Sequence, residues 1–228
     1  YYLFLGFGQA DGDIALHYQL LDNDINILGD DEGTSIDNTP PLTPQSNYDL
    51  IYTSQNDLFV GYSDMSNYID SDIFLQKFNS DGSFAFSDPV KIVENFLVDD
   101  NINFITELSS GTLLIGFDSG SFIGTRAIIV GVDSDGNVLE SWIDDSEVGG
   151  KRICMNENDQ FLKGYAVSPN GALVIWKDQR EGNADIYAQM VNAEGDLLLG
   201  EEGLAIAFGG NDQQAPTITY NEIEDEFM

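Results

Sequence analysis

Four short apolar runs, each closing on an aromatic residue, set the rhythm of this chain. They are Phe4-Leu5-Gly6-Phe7, Phe59-Val60-Gly61-Tyr62, Leu114-Ile115-Gly116-Phe117 and Leu173-Val174-Ile175-Trp176. The closing aromatics stand 55, 55 and 59 residues apart. A second alternating run follows each of the first. In the later repeats these are Asp72–Phe78, Ala127–Val132 and Asp185–Val191, and they lead into Asp81-Gly82, Asp135-Gly136 and Glu194-Gly195. Residues that alternate in polarity and end at a glycine form a strand entering a tight turn, because the turn needs the positive φ that glycine adopts without strain. Asp13–Asp24 is a looser version in the first repeat.

Further β-rich runs complete each unit. Asp49–Tyr52, Asn103–Thr106, Gly164–Val167 and Pro216–Tyr220 precede the aromatic landmark, and Leu197–Leu199 and Leu204–Phe208 follow the last turn. No stretch sustains apolar residues at helical spacing between caps. The pattern predicts an all-β chain of four tandem units, each a four-stranded antiparallel sheet, with approximate bounds 1–57, 58–112, 113–171 and 172–226. Tandem four-stranded units are the blades of a β-propeller. About four blades are expected, as part of a larger ring, since the chain starts and stops near one phase of the repeat. The stretch Asp30–Tyr48, with Pro40, Pro41 and Pro44, is the expected long loop.

Composition narrows the partners. Among 228 residues, 40 are Asp or Glu and 8 are Lys or Arg, a formal net charge of −32. A phosphate backbone or an anionic membrane surface demands clustered cations, so nucleic acid and membrane are poor partners. Self-repulsion of this size is best tolerated in saline surroundings, where charges are screened within about 10 Å. No run approaches the roughly 20 apolar residues of a membrane helix. Cys154 and His17 are the only residues of their kinds, so an intrachain disulfide is impossible and neither is expected to serve a metal or catalysis.

The fourth repeat is the least degenerate. It reads Trp176-Lys177-Asp178-Gln179-Arg180-Glu181-Gly182-Asn183-Ala184-Asp185-Ile186-Tyr187-Ala188-Gln189. It resembles the W-x-D-x-R-x-G-x-x-D-I-Y-A-Q repeat of large secreted bacterial propeller proteins, common among surface proteins exported by the type IX route in Bacteroidota. The match fades through the other repeats, where the Trp becomes Phe7, Tyr62 or Phe117; Asp64 keeps the acidic position. The resemblance implies an exported or cell-surface propeller without assigned enzyme activity.

Trp176, Asp178, Arg180 and Asp185 form the sharpest cluster. It reads either as a sugar site, with tryptophan stacking and polar contacts, or as a staple that holds a blade together. Asp133–Asn137 and Asn79–Gly82 echo calcium loops but lack the full acid set, so turn chemistry accounts for them and calcium stays a weak possibility, with no other cofactor expected. The acid pairs Asp30-Asp31, Asp99-Asp100, Asp144-Asp145 and Glu201-Glu202 read as exposed loop charges. A sialidase would need clustered arginines, and the chain has only Arg126, Arg152 and Arg180. The resulting expectation is a non-catalytic module, not an enzyme, that presents loops for adhesion or for binding a protein or glycan at a cell surface or at secretion machinery. The alternatives are a structural spacer and a propeller glycoside hydrolase or lyase with part of its site in further blades. An aromatic platform would favour glycan binding; axial carboxylates with perturbed pKa values would favour the enzyme.

Overall fold

A computed structural model describes residues 2–10, 13–29, 33–36, 45–65, 69–144 and 149–228, with the side chains of 2–5, 7–10, 13 and 14 left aside. Its elements are strands, apart from one 3₁₀ turn at Glu140–Trp142. The first sheet holds β1 (Tyr2–Ala10), β2 (Asp13–Leu21), β3 (Ile27–Leu28) and β4 (Thr34–Ser35). The second runs β5 (Gln45–Tyr52), β6 (Leu58–Asp64), β7 (Asp72–Phe78), β8 (Val90–Val93) in spatial order. The third likewise runs β9 (Asp99–Glu107), β10 (Leu113–Ser121), β11 (Gly124–Val132), β12 (Lys151–Arg152). The fourth runs β13 (Gln160–Ser168), β14 (Gly171–Asp178), β15 (Asp185–Val191), β16 (Leu204–Ala207), and β17 (Tyr220–Asn221) pairs with β18 (Glu226–Phe227). All pairings are antiparallel, and the second, third and fourth sheets are up-and-down meanders, the plan of propeller blades.

The first strands lie side by side, β5 against β9 and β9 against β13, so they line the axis about which the blades fan out. The blade therefore begins one strand before the aromatic landmark, which falls on the second strand of each sheet. Units cut at the landmark straddle two blades although the period is the same. By that landmark, β1 corresponds to a second strand.

The core lies between blades. Leu16 and Ile36 of the first sheet meet Val60, Tyr62 and Phe78 of the second. Ile73 and Leu75 meet Ile115 and Val130, and Leu114 and Ile129 meet Val174 and Trp176. The landmark glycines make room for these contacts: a Cβ on Gly61 would sit 2.6 Å from Ile102 Cδ1, and one on Gly116 would overlap the Phe104 ring. The three expected turns are the same turn. Gly82, Gly136 and Gly195 take φ of 84°, 86° and 89° and donate their N–H to the carbonyls of Asn79, Asp133 and Asn192.

Two expectations are altered. From Gln45 onward, Asp30–Tyr48 is strand, while Pro40, Pro41 and Pro44 lie outside the described residues, as do Asp30, Asp31 and Asp145. Within Pro216–Tyr220 only Tyr220 enters a strand: Ala215 takes φ of 51° and Thr219 exchanges backbone hydrogen bonds with Met228.

Candidate active site

Trp176, Asp178, Arg180 and Asp185 are brought together. Trp176 Nε1 donates to Asp178 Oδ2 at 3.0 Å, and Arg180 donates to both oxygens of the same carboxylate, through Nε at 3.0 Å and Nη2 at 2.7 Å. Arg180 also reaches Glu202 Oε2 at 3.0 Å and lies 3.9 Å over the Tyr187 ring. Asp185 pairs in register with Asp178 and accepts the Gly209 N–H at 3.2 Å. Trp176 and Asp178 are fully buried, so the indole offers no face to a ligand. The cluster ties the β14–β15 loop to the β16 side of its blade, and Arg180 Nη2 adds a contact to Cys154 Sγ at 2.9 Å. Burial pushes the Cys154 thiol up despite that neighbour.

At the axis the first strands share an irregularity. Register slips between Ser46 and Tyr48 in β5, opposite Gly116/Phe117 in β9, and between Leu162 and Gly164 in β13. The extra residues are Asn47, Asn103 and Lys163, all exposed. Such bulges re-aim a side chain out of the sheet pattern. Beside them, neighbouring blades are latched. Ile102 N donates to Ser63 Oγ at 2.9 Å, and Leu162 N donates to Asp118 Oδ1 at 2.8 Å. These two latches are equivalent, because Ser63 and Asp118 each follow the landmark aromatic. Lys177 holds that position in the next blade.

Asp118 is electrostatically perturbed. Burial raises its carboxyl from 3.8 to about 6, against the Leu162 N–H, the Asn103 side chain and the nearby Lys163 and Lys177, which pull it down. On β5, burial also raises Asp49, whose Oδ2 accepts the Ile105 N–H at 2.9 Å. Tyr165 of β13 is raised by burial, with Asp49 adding to the effect, and its ring lies 4.4 Å from that of Phe104. Carboxyls raised by burial at specific positions mark functional sites more often than surface acids do.

A further buried set lies where β6, β7 and β9 meet. Asp64, Asp70, Asp72 and Asp100 are nearly inaccessible, so Asp100 is not the exposed charge expected of it. Burial lifts Asp100 to about 7, with Asp72 and Asp70 adding and Ser119 and Asn95 opposing. Among the described residues, no group of three or more His, Cys, Asp or Glu is placed to hold a metal ion. Asp133 accepts from the N–H groups of Asp135 and Asn137 in its turn at 2.9 and 2.8 Å. Neither Asp118 nor Lys163 belongs to a recognisable motif; the available signal was the residue after each landmark aromatic, where Ser63, Asp118 and Lys177 differ in charge.

No protein-family model matches the sequence, and no curated protein matches it. Solved structures share its fold. One is a polysaccharide lyase, an ulvan lyase, at 10% identity with a TM-score of 0.55, covering 94% of this chain and 56% of that one. The ulvan lyase has also been solved bound to -[GlcA(1-4)Rha3S]-, matching at 11% identity and a TM-score of 0.55. An α-L-arabinofuranosidase from Fusarium graminearum matches at 14% identity and 0.51, covering 95% of this chain and 62% of that one. The chain thus spans a little over half the length of these proteins. The likeness is one of fold, and it corrects the expectation that the chain is not an enzyme: this propeller plan is one on which glycan-cleaving enzymes are built. Missing arginines argue only against sialidase chemistry, and burial has tuned the carboxyls that composition could not rank.

Proposed function

We propose that this chain belongs to a propeller enzyme that cleaves a polysaccharide, as a glycoside hydrolase or a lyase, at the axial ends of β5, β9 and β13. The observation that carries the reading is Asp118, a carboxyl raised to about 6 at the edge of the first strand of the next blade. A group with that pKa populates both protonation states near neutral pH. It can give a proton to a leaving glycosidic oxygen and take one in another step, a contribution of about 10²–10⁴-fold in rate. Asp49, also raised, is the second carboxyl of the proposed pair. Hydrolysis and elimination both use such acid–base groups. An exported or cell-surface location, expected from the acidity and the repeat, suits a polymer too large to enter a cell.

The test is depolymerisation of arabinan and of uronic-acid polysaccharides, followed by reducing ends and by absorbance of unsaturated products. Asp118→Ser is the informative variant. Ser63 makes the same latch in the preceding blade, so serine preserves the contact and removes the titrating group. Activity should fall about 10²–10⁴-fold with folding retained, and the wild-type rate should carry a limb near the Asp118 pKa of about 6. Full activity in Asp118→Ser would overturn the assignment.

A further inference from the structure

The chain has eight basic residues to set against forty acidic ones. Six of the eight are spent on ion pairs: Lys77 with Asp57, Lys91 with Asp72, Arg126 and Arg152 with Glu157, Lys151 with Asp144, and Arg180 with Asp178. Lys163 and Lys177 have no ion pair among the described residues. They are held together on one aromatic ring, with their Nζ atoms 5.8 and 4.6 Å from the Phe161 centroid. Both are close enough to Asp118 to pull its carboxyl down.

Both lysines also break the blade pattern. Lys163 occupies the bulge that carries Asn103 in the preceding blade. Lys177 occupies the latch position of Ser63 and Asp118, and an ammonium group has no lone pair with which to accept the next strand's N–H. Neither is placed there by the needs of the repeat. In a protein of net charge −32, two cations gathered on one ring without an ion-pair partner among the described residues form a local anion site.

We propose that Lys163 and Lys177, with Phe161, bind an anionic group of the polysaccharide, either a uronate carboxylate or a sulfate ester, beside Asp118. The inference rests on the glycan reading above and names the substrate class of that site. Phe161 gathers the two ammonium groups on one ring, and the paired ammonium groups select charge.

Binding of the whole chain to three polymers tests it: polygalacturonate, dextran sulfate and linear arabinan, by affinity electrophoresis in about 0.15 M salt, which screens the net charge beyond roughly 8 Å. The wild type should be retarded by polygalacturonate, by dextran sulfate or by both, and by neutral arabinan far less. Polygalacturonate alone identifies a uronate, and dextran sulfate alone a sulfate. Lys163→Gln and Lys177→Gln should each weaken that binding about tenfold, the scale of one lost hydrogen bond to a charged group. Lys163→Arg should restore most of it, and Lys77→Gln, an equal change of net charge elsewhere, should change nothing. No retention by either polyanion, or retention indifferent to both lysine variants, overturns the proposal. Its failure is separable from that of the cleavage reading. Cleavage that is lost in Asp118→Ser, with polyanion binding indifferent to both lysine variants, defeats only the anion site. Lysine-dependent polyanion binding with cleavage untouched by Asp118→Ser defeats only the catalytic assignment.

Discussion

Replacing Asp118 by asparagine tests the electrostatics of the axis apart from any activity. Burial raises this carboxyl from 3.8 to about 6 on folding. Between those values the folded state binds more protons than the unfolded one, so the group's contribution is fully favourable below 3.8 and is lost as pH rises through about 6. Two pKa units correspond to about 3 kcal/mol, the penalty for holding Asp118 ionised in the folded protein at alkaline pH. About 2 kcal/mol of that loss accrues between about pH 4.5 and pH 8. Asparagine keeps an oxygen to accept the Leu162 N–H and does not titrate. Urea unfolding of both proteins at several pH values gives the difference in stability, in which the other carboxylates cancel. The variant should gain on the wild type by about 2 kcal/mol across that interval. A difference that stays constant with pH would show that Asp118 does not titrate abnormally and would remove the basis of its proposed role.

Three other substitutions probe the frame around it. Asp178→Ala leaves the Arg180 guanidinium and the Trp176 Nε1–H without their carboxylate, and should cost about 3–5 kcal/mol in urea unfolding. Gly131→Ala places a Cβ 2.6 Å from the buried Trp142 indole, and the overpacking should lower stability by about 1–3 kcal/mol, seen as a reduced Tm. Asp100→Asn removes a buried carboxyl raised to about 7; by the same sign as Asp118 its stabilising effect should appear near pH 8 and vanish below about pH 4, measured by denaturation at both.

The fold was legible because its signals are periodic. Alternation fixed the strands and glycines at positive φ fixed the turns. The landmark spacing fixed the unit, since each blade buries its faces on its neighbours and must reuse the same apolar positions. The phase of the blade was not legible, because strands such as Asp49–Tyr52 and Asn103–Thr106 say nothing in sequence about which one lies at the axis. The conspicuous motif drew attention to Trp176 and Asp178, whose completeness goes with a fully buried hydrogen-bonded unit. Asp118 and Lys163 had no motif. One follows the apolar run of an ordinary strand, and the other becomes prominent only through a bulge, which is a property of pairing between strands.

That contrast bears on how a site can be found in a repeated fold. Packing demands the same residue classes in every blade, so positions that serve packing converge, as Gly82, Gly136 and Gly195 do in the turns. A site for one ligand has no such periodicity and must depart from the pattern in particular blades. At the position after the landmark aromatic, a hydroxyl in Ser63 and a carboxylate in Asp118 both latch the following strand, so the latch requires an acceptor and no charge. The charge on Asp118 and the ammonium of Lys177 exceed what that duty asks. Both departures, with Lys163 at the adjoining bulge, converge on the inner strands of the third and fourth sheets, which is where the energetic cost of a buried carboxyl and of lysines without an ion pair among the described residues would be retained for a ligand.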